Sequence, residues 1–169
     1  VGRNVARATE LVDRIKGTYD LTIKVGANVQ EAVDGADIVC TVTSARDTVL
    51  RGEWVQAGSH INAVGASIPS MREIDENLLV KSSLFVDYRP SAFAQAGDII
   101  KAIENGAITD SHIIGEIGEV LSRKVRGREN AEEITLYRSL GIAAQDLICA
   151  HHVMMQAKAG GIGVSASIS

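Results

Sequence analysis

The hydrophobic positions along this chain switch repeatedly between two periods. From Asn4 to Lys16, Val5, Ala8, Val12 and Ile15 recur at helical spacing, with Arg7, Glu10, Asp13 and Arg14 on the opposite side. The spacing predicts an amphipathic helix that Asn4 caps and Gly17 stops. Leu21–Val25 alternates and is β-branched, which predicts a strand; Asn28 then caps a short helix through Val33, ended by Gly35. Two buried strands are predicted next, Asp37–Val42 and Ser59–Val64, joined by an irregular connection through Arg51–Val55 that carries the tryptophan. Pro69 holds off the following helix until Asp75, which caps Glu76–Lys81. Ser83–Val86 is a fourth short apolar run, closed by Asp87.

Two helices, Ser91–Ala96 and Asp98–Glu104, are predicted on either side of Gly97, before a turn at Asn105-Gly106. Ser111–Leu121 reads as a weak helix interrupted by Gly115 and Gly118, and the charged run 123–130 as a solvated loop. Ile134–Tyr137 forms one more strand. The longest helix, Ile142–Lys158, puts Ala143, Leu147, Ala150, Met154 and Ala157 on one stripe, destined for the core or a subunit interface. Residues 159–169 are Gly/Ser-rich and expected to fray; their GGIGV follows a helix, not a strand, and is no phosphate loop. Strands separated by helical segments of these lengths imply βαβ crossovers, hence an α/β fold with a mostly parallel sheet and flanking helices.

Composition narrows the function more than the fold. The 169 residues suffice for one domain with a real core, 46% of them apolar and 22% charged. A net charge of −4 supplies no basic field, which argues against nucleic acid as a partner. There is no signal peptide and no apolar run approaching the roughly 18 residues of a membrane span. Cys40 and Cys149 stand far apart in neither a metal-ligand nor a redox spacing, and read as two buried reduced thiols of a cytoplasmic protein. His60, His112, His151 and His152 make no ligand spacing either, so no metal site is predicted. The chain opens in mid-element without a methionine, as a fragment of something longer would.

In an open parallel sheet, ligands sit beyond the carboxyl ends of the strands, so the stretch from Ala36 to Asp75 should carry the chemistry. Thr41-Val42-Thr43-Ser44 closes one strand with small hydroxyl residues, suited to a flat ring or a ribose approaching the backbone; such clusters also simply end strands. Gly65 removes a side chain where a ligand would approach, Pro69 stiffens the turn, and Ser67 projects a hydroxyl into the crevice. Gly2-Arg3-Asn4 would follow the second strand of a dinucleotide-binding half, where an acidic residue reads a free ribose 2′-hydroxyl and an arginine pairs with a 2′-phosphate. Arg3 therefore favours NADP(H) over NAD(H), the alternative being a solvated helix start. Asp87, Asp98 and Glu116 are candidate acid-base groups, although a strand-end aspartate equally caps the next helix. Glu116 and Glu119, three apart, are also consistent with a solvated helix face.

Several blocks in order resemble one family. GRNVARATELVDRI, ADIVCTVT, LRGEWVQAGSHINAVGAS, FVDYRPSAFAQAGDI, IGEIGEV and YRSLGIAAQDLICA look like successive segments of the second half of ornithine cyclodeaminase/mu-crystallin family enzymes, from Gly2 to about Ala157. The resemblance implies a Rossmann-like domain within a homodimer, and NAD(P)-dependent chemistry on an amino acid or its imine. It places Arg3 and Asn4 at the adenosine end, Thr41, Val42 and Thr43 along the ribose-nicotinamide path, and Val64 and Gly65 at the nicotinamide. Ser139, Leu140 and Gly141 would approach from the far side, with Asp87 near the active-site floor. Where ornithine cyclodeaminases carry an aspartate that handles the amine proton, this chain has Ser67, a form nearer to mu-crystallin-type ketimine reductases and some amino-acid dehydrogenases. The function implied is NAD(P)H-dependent reduction of an amino-acid imine, with Ser67 orienting the imine nitrogen or a water and Asp87 balancing charge. Cyclodeamination of ornithine and non-catalytic binding of a small ligand are the alternatives. The resemblance also implies that residues 1–141 are a dinucleotide-binding domain truncated at its N-terminus, followed by the helix at 142–158 and a flexible tail. The first strand, the glycine-rich turn and the substrate domain would precede it, so these residues alone should bind NAD(P) poorly and show no turnover.

Overall fold

The computed structural model describes residues 1–164 and 166. Strands β1 (Ile38–Thr41), β2 (His60–Ala63), β3 (Ser82–Val86), β4 (Ile113–Glu116) and β5 (Ile134–Arg138) form one sheet in the order β1-β2-β5-β3-β4. Every neighbouring pair is parallel, so all five carboxyl ends lie along one edge. β5, the last strand in sequence, inserts between β2 and β3, which brings its tip into the middle of that edge.

Register explains the core. Val39, Ile61, Leu136, Leu84 and Ile113 are matched across all five strands, and each is buried. Against this face pack α2 (Val29–Val33), α3 (Glu76–Lys81), α4 (Arg89–Gln95) and α5 (Gly97–Glu104) through Val33, Leu78, Leu79, Ala92, Ile99 and Ala102. Fully burying a Val, Leu or Ile side chain contributes about 1.5–3 kcal/mol, so this one-sided layer holds most of the stability. The other face is less covered. α6 (Ile117–Leu121) and the loop after it lie over Phe85 and Thr135, while Ile38 and Cys40 remain exposed.

The capping residues act as read. Asn4 Oδ1 accepts from the Arg7 N–H at 3.1 Å to open α1 (Val5–Ile15), and Asn28 Oδ1 accepts from Glu31 at 2.9 Å. Asp75 Oδ1 accepts from Leu78 and also from Gly52, at 2.9 Å each, tying α3 to the Trp54 connection.

Three expectations need correction, and a fourth, core or interface for the last helix, is narrowed. Leu21–Val25 is not a strand, because no neighbouring strand pairs with it among the described residues and an extended segment gains a ladder only from a partner. Ser111–Leu121 is not one helix: Ile113–Glu116 pairs with β3, and only Ile117–Leu121 is helical. There the alternation of Ile113 and Ile114 and the close packing of Gly115 on Val125 override a weak helical pattern. Cys40 and Cys149 are free but exposed, the first on an edge strand and the second on α7 (Ala143–Ala159). α7 itself contributes nothing to this core, since none of its residues is buried and Leu147 and Ile148 are about 70% exposed. Of the expected tail, Ser165 and residues 167–169 lie outside the described residues.

Candidate active site

The carboxyl edge of the sheet is organised by three buried charged side chains, each tying neighbouring strand tips together. Glu73, on the connection between β2 and α3, is completely buried. Its carboxylate accepts from Thr41 Oγ1 at 2.8 Å, from the Thr43 N–H at 2.5 Å and from the Gly65 N–H at 2.7 Å, so one side chain clamps the tips of β1 and β2. Gly65 is required by this clamp. A Cβ there would collide with the Thr43 backbone and with Glu73 Oε1, so the space the sequence reading reserves for a ligand is taken by the protein.

Asp87, at the end of β3, serves the tip of β5. Its Oδ2 accepts from the N–H groups of Leu140 at 2.7 Å and Gly141 at 2.6 Å, with the Ser139 hydroxyl at 3.3 Å, while Oδ1 takes the Tyr88 N–H at 2.9 Å. Charge-assisted bonds to backbone donors are among the stronger hydrogen bonds, and here they shape the Ser139–Gly141 turn, where Gly141 has φ +83°. Asp87 does not cap the following helix. The first N–H of α4, on Arg89, is instead accepted by Glu116 Oε1 at 2.8 Å, and Glu119 in turn accepts from the Glu116 N–H at 2.8 Å. Both glutamates are structural.

Arg138 is the third. Strand alternation after Ile134 and Leu136 turns it toward the core, and its guanidinium is fully buried. Nε donates to Asp98 Oδ1 at 2.9 Å, Nη1 to the carbonyls of Ala63 and Ser139 at 2.9 Å each, and Nη2 to the Ala66 carbonyl. Burial pushes the Asp98 carboxyl above its usual range, and the Arg138 charge beside it pulls the other way. Asp98 Oδ2 has no partner among the described residues.

Around this frame lie the residues the sequence singles out. Arg3, Thr41 and Thr43 line one cavity of about 310 Å³ between residues 1–3 and β1, walled by Val33, Val39 and Leu50. That is the low end of small-molecule site volumes. Arg3 makes no ion pair among the described residues, whereas the Thr41 hydroxyl is committed to Glu73 and the Asn4 side chain to its helix cap. Val42 and Val64 are exposed beside it, at 72% and 41%. Ser67 is exposed with no hydrogen-bond partner among the described residues, and Ser139, Leu140 and Gly141 stand at the next tip. The arrangement fits the two ends of a nicotinamide dinucleotide: an unpaired guanidinium at one, small hydroxyl and glycine tips at the other. No strand among the described residues leads into a Gly-x-Gly turn, so a cradle for the pyrophosphate is not among them.

Sequence reading missed Glu73 and Arg138 and gave Asp98 only a generic acid-base role. Arg138 was legible from its inward parity after Ile134 and Leu136, and Asp98 from sharing a helix face with buried Ala102. Glu73 sits in a segment with no periodicity and carries no signal.

Comparison with known proteins follows the same outline. The family model described as Ornithine cyclodeaminase/mu-crystallin family matches residues 2–161. The chain is 40% identical over 144 residues to ketimine reductase mu-crystallin from Mus musculus, which covers 85% of this chain and 43% of that protein. The structure of Thermococcus litoralis Δ(1)-pyrroline-2-carboxylate reductase in complex with NADH and L-proline superposes with a TM-score of 0.91 at 34% identity, over 97% of this chain and 51% of the other. An archaeal alanine dehydrogenase dimer with bound NAD gives a TM-score of 0.84 at 32% identity, over 97% and 50%. The chain thus spans about half the length of these relatives.

Proposed function

This chain belongs to the ornithine cyclodeaminase/mu-crystallin family, and from that premise we propose that the whole protein is an NAD(P)H-dependent oxidoreductase that reduces an imine of an amino acid, cyclic or linear. The observation that carries the reading is the meeting of Thr43, Val64–Ser67 and Ser139–Gly141 on one edge of a parallel sheet, beside a cavity that holds Arg3. When bound, the nicotinamide cofactor supplies or accepts the hydride. Arg3 pairs with the 2′-phosphate of NADP(H), in the fork geometry guanidinium groups favour for phosphate. Val64 and the flat Gly65 backbone wall the ring side of the crevice, and the Ser139–Gly141 turn closes it from the far side.

Ser67 is the catalytic residue in this reading. Its exposed hydroxyl donates to the imine nitrogen, or to a water that does, and relays a proton without storing one. A serine cannot offset the charge of an iminium as a carboxylate would, which favours net reduction over cyclodeamination. Asp87 takes a positioning role in place of the charge-balancing one, because its oxygens are already held by Tyr88 and by the tip of β5. The exposed apolar residues of α7 support a homodimer or a further domain packing there, and the alanine dehydrogenase relative is a dimer. Two free thiols suit a reducing compartment, the cytoplasm.

The test is a comparison of two substrates in the whole protein. With a cyclic ketimine, NADPH should be consumed in step with substrate, and ornithine should release no ammonia. Ammonia from ornithine without net NADPH loss would replace this reading with cyclodeamination. Cofactor binding with no turnover across a broad imine panel would replace it with a binding role.

A further inference from the structure

We propose that Arg138, tethered by Asp98, is the positioning residue that sets the height and orientation of Ser67, and so acts on imine reduction through Ser67 without touching substrate. The inference rests on the functional reading above for its catalytic arm, and on geometry alone for its structural arm.

Residues 64–75 leave β2 and cross the carboxyl edge with no regular structure after Ala63. Such a segment would ordinarily be mobile, yet it is fastened along its length, by the Val64 N–H on the Thr41 carbonyl at 2.9 Å, by a bridge between Leu50 and Ile74, and by the side chains that follow. Glu73 ties its far end to the tips of β1 and β2. In its middle, the carbonyls of Pro69 and Met71 lie so close to Gly97 that any Cβ there would strike them, which seats the start of α5 against the turn. Its near end is held by Arg138, whose guanidinium bridges the carbonyls of Ala63 and Ala66 and so brackets Val64 and Gly65.

Ser67 is the residue that follows the last of these anchored carbonyls. Ala66 is completely buried and Ser67 is exposed, so the chain turns outward at the point where Arg138 lets go of it. Because Arg138 also holds the Ser139 carbonyl, the same side chain sets the spacing between the Ser67 loop and the β5 tip. Asp98 fixes the reach of the guanidinium from α5. Among the described residues only its Oδ1 is paired, with Arg138 and with the Ile99 N–H of its own helix, which leaves the tie to Arg138 as its one side-chain link to the edge.

A lysine at 138 would keep the charge that faces Asp98 but would replace a planar fork by a single ammonium, unable to serve three carbonyls and a carboxylate at once. The substitution Arg138→Lys therefore separates holding the fold from holding the loop. In the 169-residue chain, amide hydrogen exchange at Val64, Gly65 and Met71, whose N–H groups are held by Thr41, Glu73 and Ile68, should accelerate by about tenfold or more while the amides of β2 and β5 keep their protection. Asp98→Asn, which preserves shape and one acceptor, should speed the same three amides by less. In the whole protein, Arg138→Lys should lower kcat for the imine by about tenfold with KM for the cofactor within about twofold. Combined with Ser67→Ala it should cost no more than Ser67→Ala alone, the signature of two residues acting as one unit.

Unchanged exchange at Val64, Gly65 and Met71 in both variants would overturn the inference, as would losses from Arg138→Lys and Ser67→Ala that simply multiply. If the unaltered whole protein reduces no imine, the functional reading fails and the exchange measurement decides this proposal by itself.

Discussion

Replacing Glu73 by glutamine changes one oxygen for one nitrogen at the centre of the clamp, and the cost follows from its three bonds. With the glutamine oxygen turned to serve Thr41 and Gly65, its amide nitrogen faces the Thr43 N–H, donor against donor. One charge-assisted bond worth about 1.5–3 kcal/mol is lost and a backbone N–H is left without a partner. Against this, a neutral amide is easier to bury than a carboxylate that has no cation within its own hydrogen-bond set. The balance is a loss of about 2–3 kcal/mol, which in a domain of this size lowers Tm by about 4–12 °C. Thermal melts followed by circular dichroism measure it, with Glu10→Gln on the exposed face of α1 as the control that should stay within about 0.5 kcal/mol. A Glu73→Gln protein that melts within about 1 °C of the unaltered chain would refute the claim that this carboxylate holds the two tips together.

Other outcomes follow from the same frame. Asp87→Asn leaves one acceptor oxygen for four donors, so its amide nitrogen meets either the Tyr88 N–H or those of Leu140 and Gly141 and the turn loosens; cofactor affinity in the whole protein should fall by about tenfold, read by nucleotide fluorescence, and unchanged affinity would mean that the β5 tip does not touch the cofactor. Arg3→Ala should erase any preference for NADPH over NADH, since a charge-assisted phosphate contact is worth about 1.5–3 kcal/mol; a preserved preference assigns it to other residues. Burial lowers the pKa of His60 from 6.5, with the nearby Arg128 charge acting the same way against a hydrogen bond to Asn62 that favours the protonated ring. Arg128 donates to Thr135 Oγ1 at 2.9 Å, and that hydroxyl lies 2.7 Å from His60 Nδ1. The unfolded chain therefore binds this proton more readily: the contribution of His60 is full above pH 6.5 and is lost as pH falls from there through the lowered folded value. Denaturant melts from pH 7 to pH 5 should show that slope, and His60→Gln should flatten it.

What was legible in the sequence was whatever repeats. The apolar runs at Asp37–Val42, Ser59–Val64, Ser83–Val86 and Ile134–Tyr137 became β1, β2, β3 and β5, and their parallel order followed from the helices between them. β4 was missed because four residues, one of them Gly115, between the turn at Asp110–His112 and α6 carry too short a pattern to separate strand from helix. Leu21–Val25 has the pattern of a strand but no neighbour to pair with among the described residues, which local sequence cannot reveal. At the site, Thr43 and Ser67 were read from their place after strands, and Gly141 from the family resemblance. The charged residues that hold them were mostly missed, because Glu73 acts across 30 residues to Thr43 and Arg138 across 72 to Ala66. Long-range hydrogen bonds of this kind leave no local trace. Gly65 was recognised as necessary for a reason that the structure replaces: it makes room for Thr43 and Glu73.

The central claim is that the tips of β1, β2 and β5 together form the nicotinamide end of a cofactor site. Titrating NADH into the ¹⁵N-labelled chain, and following amide shifts, tests this even where binding is weak. The largest shifts are predicted at Thr43, Gly65–Ser67 and Ser139–Gly141. Shifts confined to the hollow around His60 and Phe85 on the opposite face of the sheet, with those tips unmoved at saturating NADH, would contradict it.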